Sequence, residues 1–167
     1  MAQSSTTHDP FPRRSHDHRS CVAAALARAD ELCGRRAVRL TPLRRRVLEL
    51  IWQSHAPVGA YQLMEMLAKE RGPVAPPTVY RALEFLRAQG LVHRIESLNA
   101  FIGCPAPAAG HHAGFLICRR CGNVAEFPAA VLGDALARLA AGAGFSVEGE
   151  KIEVTGTCAP CREQRAA

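Results

Sequence analysis

Two cysteine pairs of identical spacing constrain this chain more than any other feature. The pairs are Cys118/Cys121 and Cys158/Cys161, each a Cys-x-x-Cys motif, and a 36-residue segment separates them. One such motif presents two thiolates to one ion, and two motifs complete the closed tetrahedron of a structural zinc site. Simple zinc ribbons place roughly 15–20 residues between their motifs, so a larger folded segment must lie between these two. The spacing predicts a small domain stapled by zinc.

The positive charge of the chain is concentrated in its N-terminal half. The net charge is +6 over 167 residues; residues 21–96 hold 12 Lys and Arg against 7 Asp and Glu, whereas residues 97–167 hold 6 of each kind. Basic charge on one module is typical of a domain that binds a polyanion, although a solvated basic surface gives the same balance.

The composition also bears on the cellular compartment. No run of residues has the length of a membrane span, and residues 1–20 lack the apolar core of a secretory signal, so we expect a cytoplasmic protein. The cytosol keeps thiols reduced, and seven cysteines there favour metal ligation or redox chemistry over structural disulfides.

The hydrophobic periodicity of residues 21–103 predicts a winged helix-turn-helix domain. Residues 1–20 show no periodicity and are expected to form a disordered arm. Four helical patterns follow, the second opened by Thr41-Pro42 as N-cap and first helical residue. The third spans residues 60–71, and the fourth opens at Pro76 and ends at Gly90. Two strand patterns, residues 91–96 and 100–103, then form a hairpin, the wing.

The third and fourth helices form the helix-turn-helix. In this motif the second of the two helices, here the fourth of the chain, enters the major groove with its N-terminal residues against the base edges. Here those residues are Thr78, Tyr80 and Arg81, because they point away from the apolar stripe of the fourth helix. The basic run 44–46 on the second helix of the chain favours phosphate contact, and a solvated face explains it almost as well.

A Pro/Ala/Gly-rich stretch at residues 104–110 predicts a hinge, followed by a second domain over residues 111–167. We expect strands at 114–118 and 124–127, a helix over 128–141, and a strand or hairpin across 145–154. The apolar residues of that helix are expected to face inward; they are Val131, Leu132, Ala135, Leu136 and Leu139. The predicted fold class is therefore α+β, with an N-terminal winged helix-turn-helix and a small zinc-stapled α/β domain.

A second set of metal-binding residue types flanks the hinge. It comprises His93, Cys104, the adjacent His111 and His112, and Glu126. Each alone is more often a packing residue than a ligand, but an ion bound by several of them would fix one domain against the other. A thiolate with imidazoles and a carboxylate suits tetrahedral zinc better than manganese or ferrous iron.

Four segments together resemble the ferric uptake regulator family, and within it the zinc uptake regulator branch. They are VRLTPLR at 38–44, PPTVYRALEFL at 76–86, GLVH at 90–93 and ICRRCG at 117–122. The resemblance implies that the four paired cysteines hold structural zinc. It further implies that His93, Cys104, His111 and Glu126 hold sensing zinc, giving two zinc ions per protomer.

The same resemblance implies that Tyr61 and Arg81 contact operator bases and that the C-terminal domain dimerises. The expected function is a homodimeric, zinc-dependent repressor of zinc acquisition genes that binds a palindromic DNA operator. Where iron-type members carry Asp and His, this chain has Gly114 and Phe115, so no third metal site is expected. His111 is favoured over His112 by its spacing to Cys118.

Two alternatives remain open from the sequence. One is a family member that senses iron, manganese or peroxide. The other is an enzyme, either a thiol oxidoreductase using Cys118 and Cys121 or a zinc hydrolase. Closed four-thiolate coordination and the lack of a nucleophile and base pair in the sequence argue against catalysis.

Overall fold

The computed structural model describes residue 11, residues 18–107 and residues 112–164. The chain divides into two compact units, one of residues 17–112 and one that combines residues 1–16 with 113–167. Each mixes helices and strands, which confirms the predicted α+β fold class. Among the described residues, no helix is both long and apolar enough to span a membrane.

Four helices build the first unit: α1 (His18–Arg35), α2 (Pro42–Trp52), α3 (Ala60–Arg71) and α4 (Pro76–Ala88). The bounds of α3 are those predicted. Helix α1 begins at His18, three residues inside the stretch expected to be a disordered arm. Residues 18–20 are His, Arg and Ser, which fill less than one turn and carry no apolar side chain to give a periodic signal.

The start of α2 shows why the local sequence predicted it. Thr41 has extended backbone angles and its side-chain oxygen accepts a hydrogen bond from the backbone N–H of Arg44 at 3.4 Å. Pro42 occupies the first turn, where no intrahelical N–H partner is lost. Proline opens α4 in the same way, and Gly90, at φ 71°, follows its end.

The hairpin of the wing belongs to a three-stranded antiparallel sheet. Its strands are β1 (Val58–Gly59), β2 (Val92–Ile95) and β3 (Ala100–Gly103), in the order β1-β3-β2. Strand β1 was not predicted, because two residues are too few to show a period of two. Asn99, at φ 46°, turns the chain between β2 and β3.

The core of this unit joins the helices to the wing. Its fully buried side chains include Leu48, Ile51, Leu63, Leu67, Val79, Leu83 and Leu86. Trp52 at the end of α2 packs directly on β3 at Gly103, where an added Cβ would lie 2.2 Å from the indole ring. Only glycine fits there, and the wing is thereby held against α2.

The second unit contains β4 (Ala113–Cys118), β5 (Val124–Pro128), α5 (Ala130–Gly142), β6 (Ile152–Gly156) and α6 (Ala159–Glu163). The sheet order is β5-β4-β6, with β4 antiparallel to β5 and parallel to β6. The crossover through α5 explains why 36 residues separate the two cysteine motifs. The structure gives one parallel strand, where the sequence had suggested a strand or hairpin over 145–154.

The predicted orientation of α5 is wrong for a single chain. No residue of this helix is buried, and Val131 and Leu139 are 75% and 73% exposed. The periodicity correctly indicated an apolar face, but a helical pattern does not say whether its partner belongs to the same chain.

Candidate metal centres and DNA-binding surface

The four paired cysteines meet at one end of the second sheet. Cys118 ends β4 and Cys121 follows in the turn, while Cys158 caps α6 and Cys161 lies within it. The parallel register places Cys118 opposite Gly156, two residues before Cys158. As a result, the four sulfur atoms all lie within 4.8 Å of one another.

Buried side chains and hydrogen-bond donors pack around the four cysteines. Cys118, Cys158 and Cys161 are buried, and Phe11, Leu116 and Ala125 pack against them. The backbone N–H of Cys158 donates to Sγ of Cys118 at 3.4 Å. The guanidinium of Arg120 in the first motif donates to the carbonyl oxygen of Cys161 in the second, which ties the two motifs together.

The thiols of the cluster differ strongly in acidity. Burial raises the pKa of Cys118, but backbone N–H groups of Cys158, Cys121 and Arg120 outweigh it and lower the pKa to about 6. Burial and the neighbouring thiols raise the pKa of Cys158 to about 12, and burial also raises the pKa of Cys121. A dication favours the thiolate form of every ligand, so the cluster as a whole suits a metal ion.

The donor set fits zinc in a structural role. Four thiolates complete tetrahedral coordination and leave no position for water or substrate. Such a site holds chain segments together and does not activate a reactant.

Two of the residues expected at the hinge lie together in the first unit. The donor atoms of His93 and Cys104 are within 4.8 Å of each other. The backbone N–H of Cys104 donates to the carbonyl oxygen of Leu91 at 3.0 Å, so Cys104 continues the pairing of β3 with β2. His93, two residues beyond Leu91, is therefore a diagonal neighbour on the same face. Cys104 is 2% exposed and His93 is half-buried.

The remaining predicted hinge ligands are Glu126 and one of the two adjacent histidines, His111 and His112. Glu126 is half-buried on β5 of the second unit, where it pairs with Phe115 of β4. His111 lies outside the described residues, and His112 is exposed. The choice between these two imidazoles thus stays a prediction.

The residues predicted to contact DNA are accessible. Thr78, Tyr80 and Arg81 are exposed on the N-terminal half of α4, while Val79, Ala82 and Leu83 face the core. Tyr61, at the start of α3, is 73% exposed. Helix α4 therefore packs on the core with its apolar face and exposes a polar face that can enter a DNA groove.

A cleft of about 420 Å³ adjoins this surface, between the helix pair and the wing. Residues from α3, α4 and both strands of the hairpin line it, and sequence reasoning missed several of them: Gln62, Glu84, Arg87, Arg94 and Asn99. Arg94 is oriented by Glu96 at 3.3 Å and by the side-chain oxygen of Asn99 at 2.9 Å. Periodicity could not identify this wall, because its residues come from elements far apart in sequence.

The basic run on α2 has intramolecular partners. Arg44 stacks on Phe85 at 3.6 Å from the ring centroid, and Arg45 pairs with Asp30. Arg46 donates to Glu70 at 2.9 Å and to Glu49 at 2.6 Å, and the bond to Glu70 raises the pKa of Arg46 most. These contacts favour a structural role for the run over phosphate binding.

Comparisons with known proteins agree with these arrangements. The model of the ferric uptake regulator family matches residues 35–155. The zinc uptake regulation protein of Escherichia coli K12 is 42% identical over 142 residues, which cover 84% of this chain and 83% of that protein.

Two solved structures extend the comparison to three dimensions. A zinc uptake regulator complexed with zinc and DNA is 40% identical, with a TM-score of 0.79, and the match covers 87% of this chain and 98% of that one. The crystal structure of holo XcZur is 42% identical, with a TM-score of 0.72, over 86% and 98% of the two chains. Because the family model matches residues 35–155 and these relatives match more than four-fifths of its length, the chain belongs to the ferric uptake regulator family.

Proposed function

We propose that this chain is a zinc-responsive DNA-binding regulator that represses genes of zinc uptake and homeostasis. The observation that carries the proposal is the match, over 87% of the chain, to a zinc uptake regulator complexed with zinc and DNA. The relatives that support it are named as regulators, and the closed thiolate cluster has no open position for catalysis.

Two zinc ions per protomer are proposed, with different roles. The four-cysteine cluster holds the first and keeps the second unit folded. His93 and Cys104 provide two ligands of the second, and the resemblance assigns Glu126 and His111 as the others. Because Cys104 contributes a soft thiolate, zinc is favoured over iron or manganese as the signal.

The second ion is proposed to couple the two units. Its ligands come from the wing side and from beyond the hinge, so binding restricts the orientation of the DNA-binding unit. Two such units in a homodimer are then held at the spacing of a palindromic operator. Coupling between effector and ligand sites is typically 1–3 kcal/mol, which corresponds to about 5–150-fold in affinity.

The decisive experiment is operator binding across a buffered free-zinc titration, with the metal content of the same samples measured. An operator selected from random-sequence DNA is the probe. We expect wild-type affinity to rise by about 5–150-fold as the second ion binds, and Cys104→Ser to lose most of that rise while retaining one zinc per protomer.

The matched control is Cys21→Ser, since Cys21 is half-buried and outside both ligand sets. It should behave as the wild type. An unchanged zinc response in Cys104→Ser would contradict the ligand assignment. A response of equal size to ferrous iron or manganese at their buffered concentrations would instead favour another branch of the family.

The role of α4 is tested by Arg81→Ala. Arg81 is exposed on the N-terminal half of α4, and loss of a bidentate base contact costs about 1–3 kcal/mol, or roughly 5–150-fold in operator affinity. Binding to unrelated DNA should change much less, so the specificity ratio should fall when both affinities are measured at one salt concentration.

Arg119→Ala removes the same charge from an exposed position in the second unit. This control should leave the specificity ratio at the wild-type value. Equal losses in both variants would mean that Arg81 contributes only through net charge.

A further inference from the structure

Two histidines from separate elements of the DNA-binding unit lie ring to ring. His18 is the first residue of α1, and His55 follows the end of α2 by three residues. Their ring centroids are 4.8 Å apart, with the planes inclined at 47°. Nδ1 of His18 and Nε2 of His55 are both shielded from solvent. Neither residue belongs to the two ligand sets described above.

The separation matches that of two imidazoles bound to one ion. In a tetrahedral site each ligating nitrogen lies about 2.0–2.1 Å from zinc, and the ring centre lies roughly 1 Å farther out. At a tetrahedral angle the two ring centroids are then about 5 Å apart. The observed 4.8 Å is therefore compatible with both rings binding one ion.

We propose that His18 and His55 form an accessory site for a borderline-soft divalent cation such as zinc. Neutral imidazole is a preferred ligand for such ions. Cys21 lies one turn after His18 on α1, but among the described residues these three donors do not form a group within 4.8 Å. Among the described residues the site therefore has two protein ligands, and water completes the coordination.

An ion bound by His18 and His55 links two segments of the DNA-binding unit. It joins the first turn of α1 to the segment that leads from α2 into β1 and α3. With two protein ligands the site binds more weakly than the four-thiolate cluster, so it fills after that cluster and after the ligands at the hinge.

The test counts zinc ions and follows histidine resonances in the full chain. Zn²⁺ is added stepwise, bound ions per protomer are counted by native mass spectrometry, and the Hε1 signals of the histidines are recorded by ¹H–¹³C NMR. We expect the signals of His18 and His55 to shift together in the last step. The double variant H18Q/H55Q should hold one ion fewer than the wild type at the same free zinc.

The control is H8Q/H16Q, which removes two histidines of the N-terminal stretch and should keep the wild-type count. An unchanged count in H18Q/H55Q, or loss of the ion in H8Q/H16Q, would overturn the proposal. The NMR arm needs no variant: if the two signals do not move together in wild-type protein up to saturation, ring stacking alone explains the pair.

Discussion

Replacing Cys158 by serine is expected to release the ion of the four-cysteine cluster and to unfold the second unit. A structural zinc site contributes an apparent binding free energy of about 10–16 kcal/mol, all of which is coupled to folding. The unit has little else to replace it, because its buried side chains are few and α5 has none. Zinc content should fall by at least one ion per protomer, since unfolding of this unit also removes Glu126 from the second site.

Backbone NMR of the full chain distinguishes unfolding of the second unit from unfolding of the whole protein. In Cys158→Ser the dispersed signals of residues 113–164 should collapse, while those of residues 18–103 remain. The matched control is Cys104→Ser, which removes a buried thiol of the other ligand set and should keep the second unit folded. A folded, zinc-loaded Cys158→Ser protein would show that three thiolates and a water suffice.

Replacing Leu139 by glutamate is expected to convert the homodimer into monomers. Leu139 lies on the exposed apolar face of α5, and an unpaired carboxylate buried in an interface costs several kcal/mol. Two linked DNA-binding units gain about 10²–10⁴ in avidity over one, so affinity for a palindromic operator should fall by a comparable factor. Sedimentation equilibrium and operator titration measure the two effects.

Ala137→Glu is the matched control, because Ala137 is exposed on the opposite side of the same helix. It should remain dimeric and bind the operator normally. If Leu139→Glu also stays dimeric, the apolar face of α5 is not the contact between protomers.

Local chemistry determined which elements the sequence predicted well. Thr41-Pro42 and Pro76-Pro77 mark helix starts by capping and by the fixed φ of proline, and those starts were placed correctly. The four-cysteine cluster was also predicted, since thiolate spacing carries its own chemistry. These signals depend on only a few adjacent residues.

Features set by distant partners were not predictable in the same way. Strand β1 exists because Val58 pairs with Phe101, and the parallel placement of β6 depends on the crossover through α5. Arg44 and Arg46 contact Phe85 of α4 and Glu70 of α3, so the basic run gave no indication that these partners engage it. The ring pair of His18 and His55 likewise joins residues 37 positions apart.

The packing of Phe11 on the cysteine cluster has a consequence for the order of synthesis. Phe11 and Cys161 belong to one cluster of buried side chains, although they lie 150 positions apart in the sequence. Chains fold from the N-terminus as they are made, at about 5–20 residues per second, so the winged unit can close before Cys158 leaves the ribosome. Phe11 must wait for its partners, and the ion can be fully enclosed only after Cys161 has been made. Zinc loading of the cluster is thus a late step of maturation.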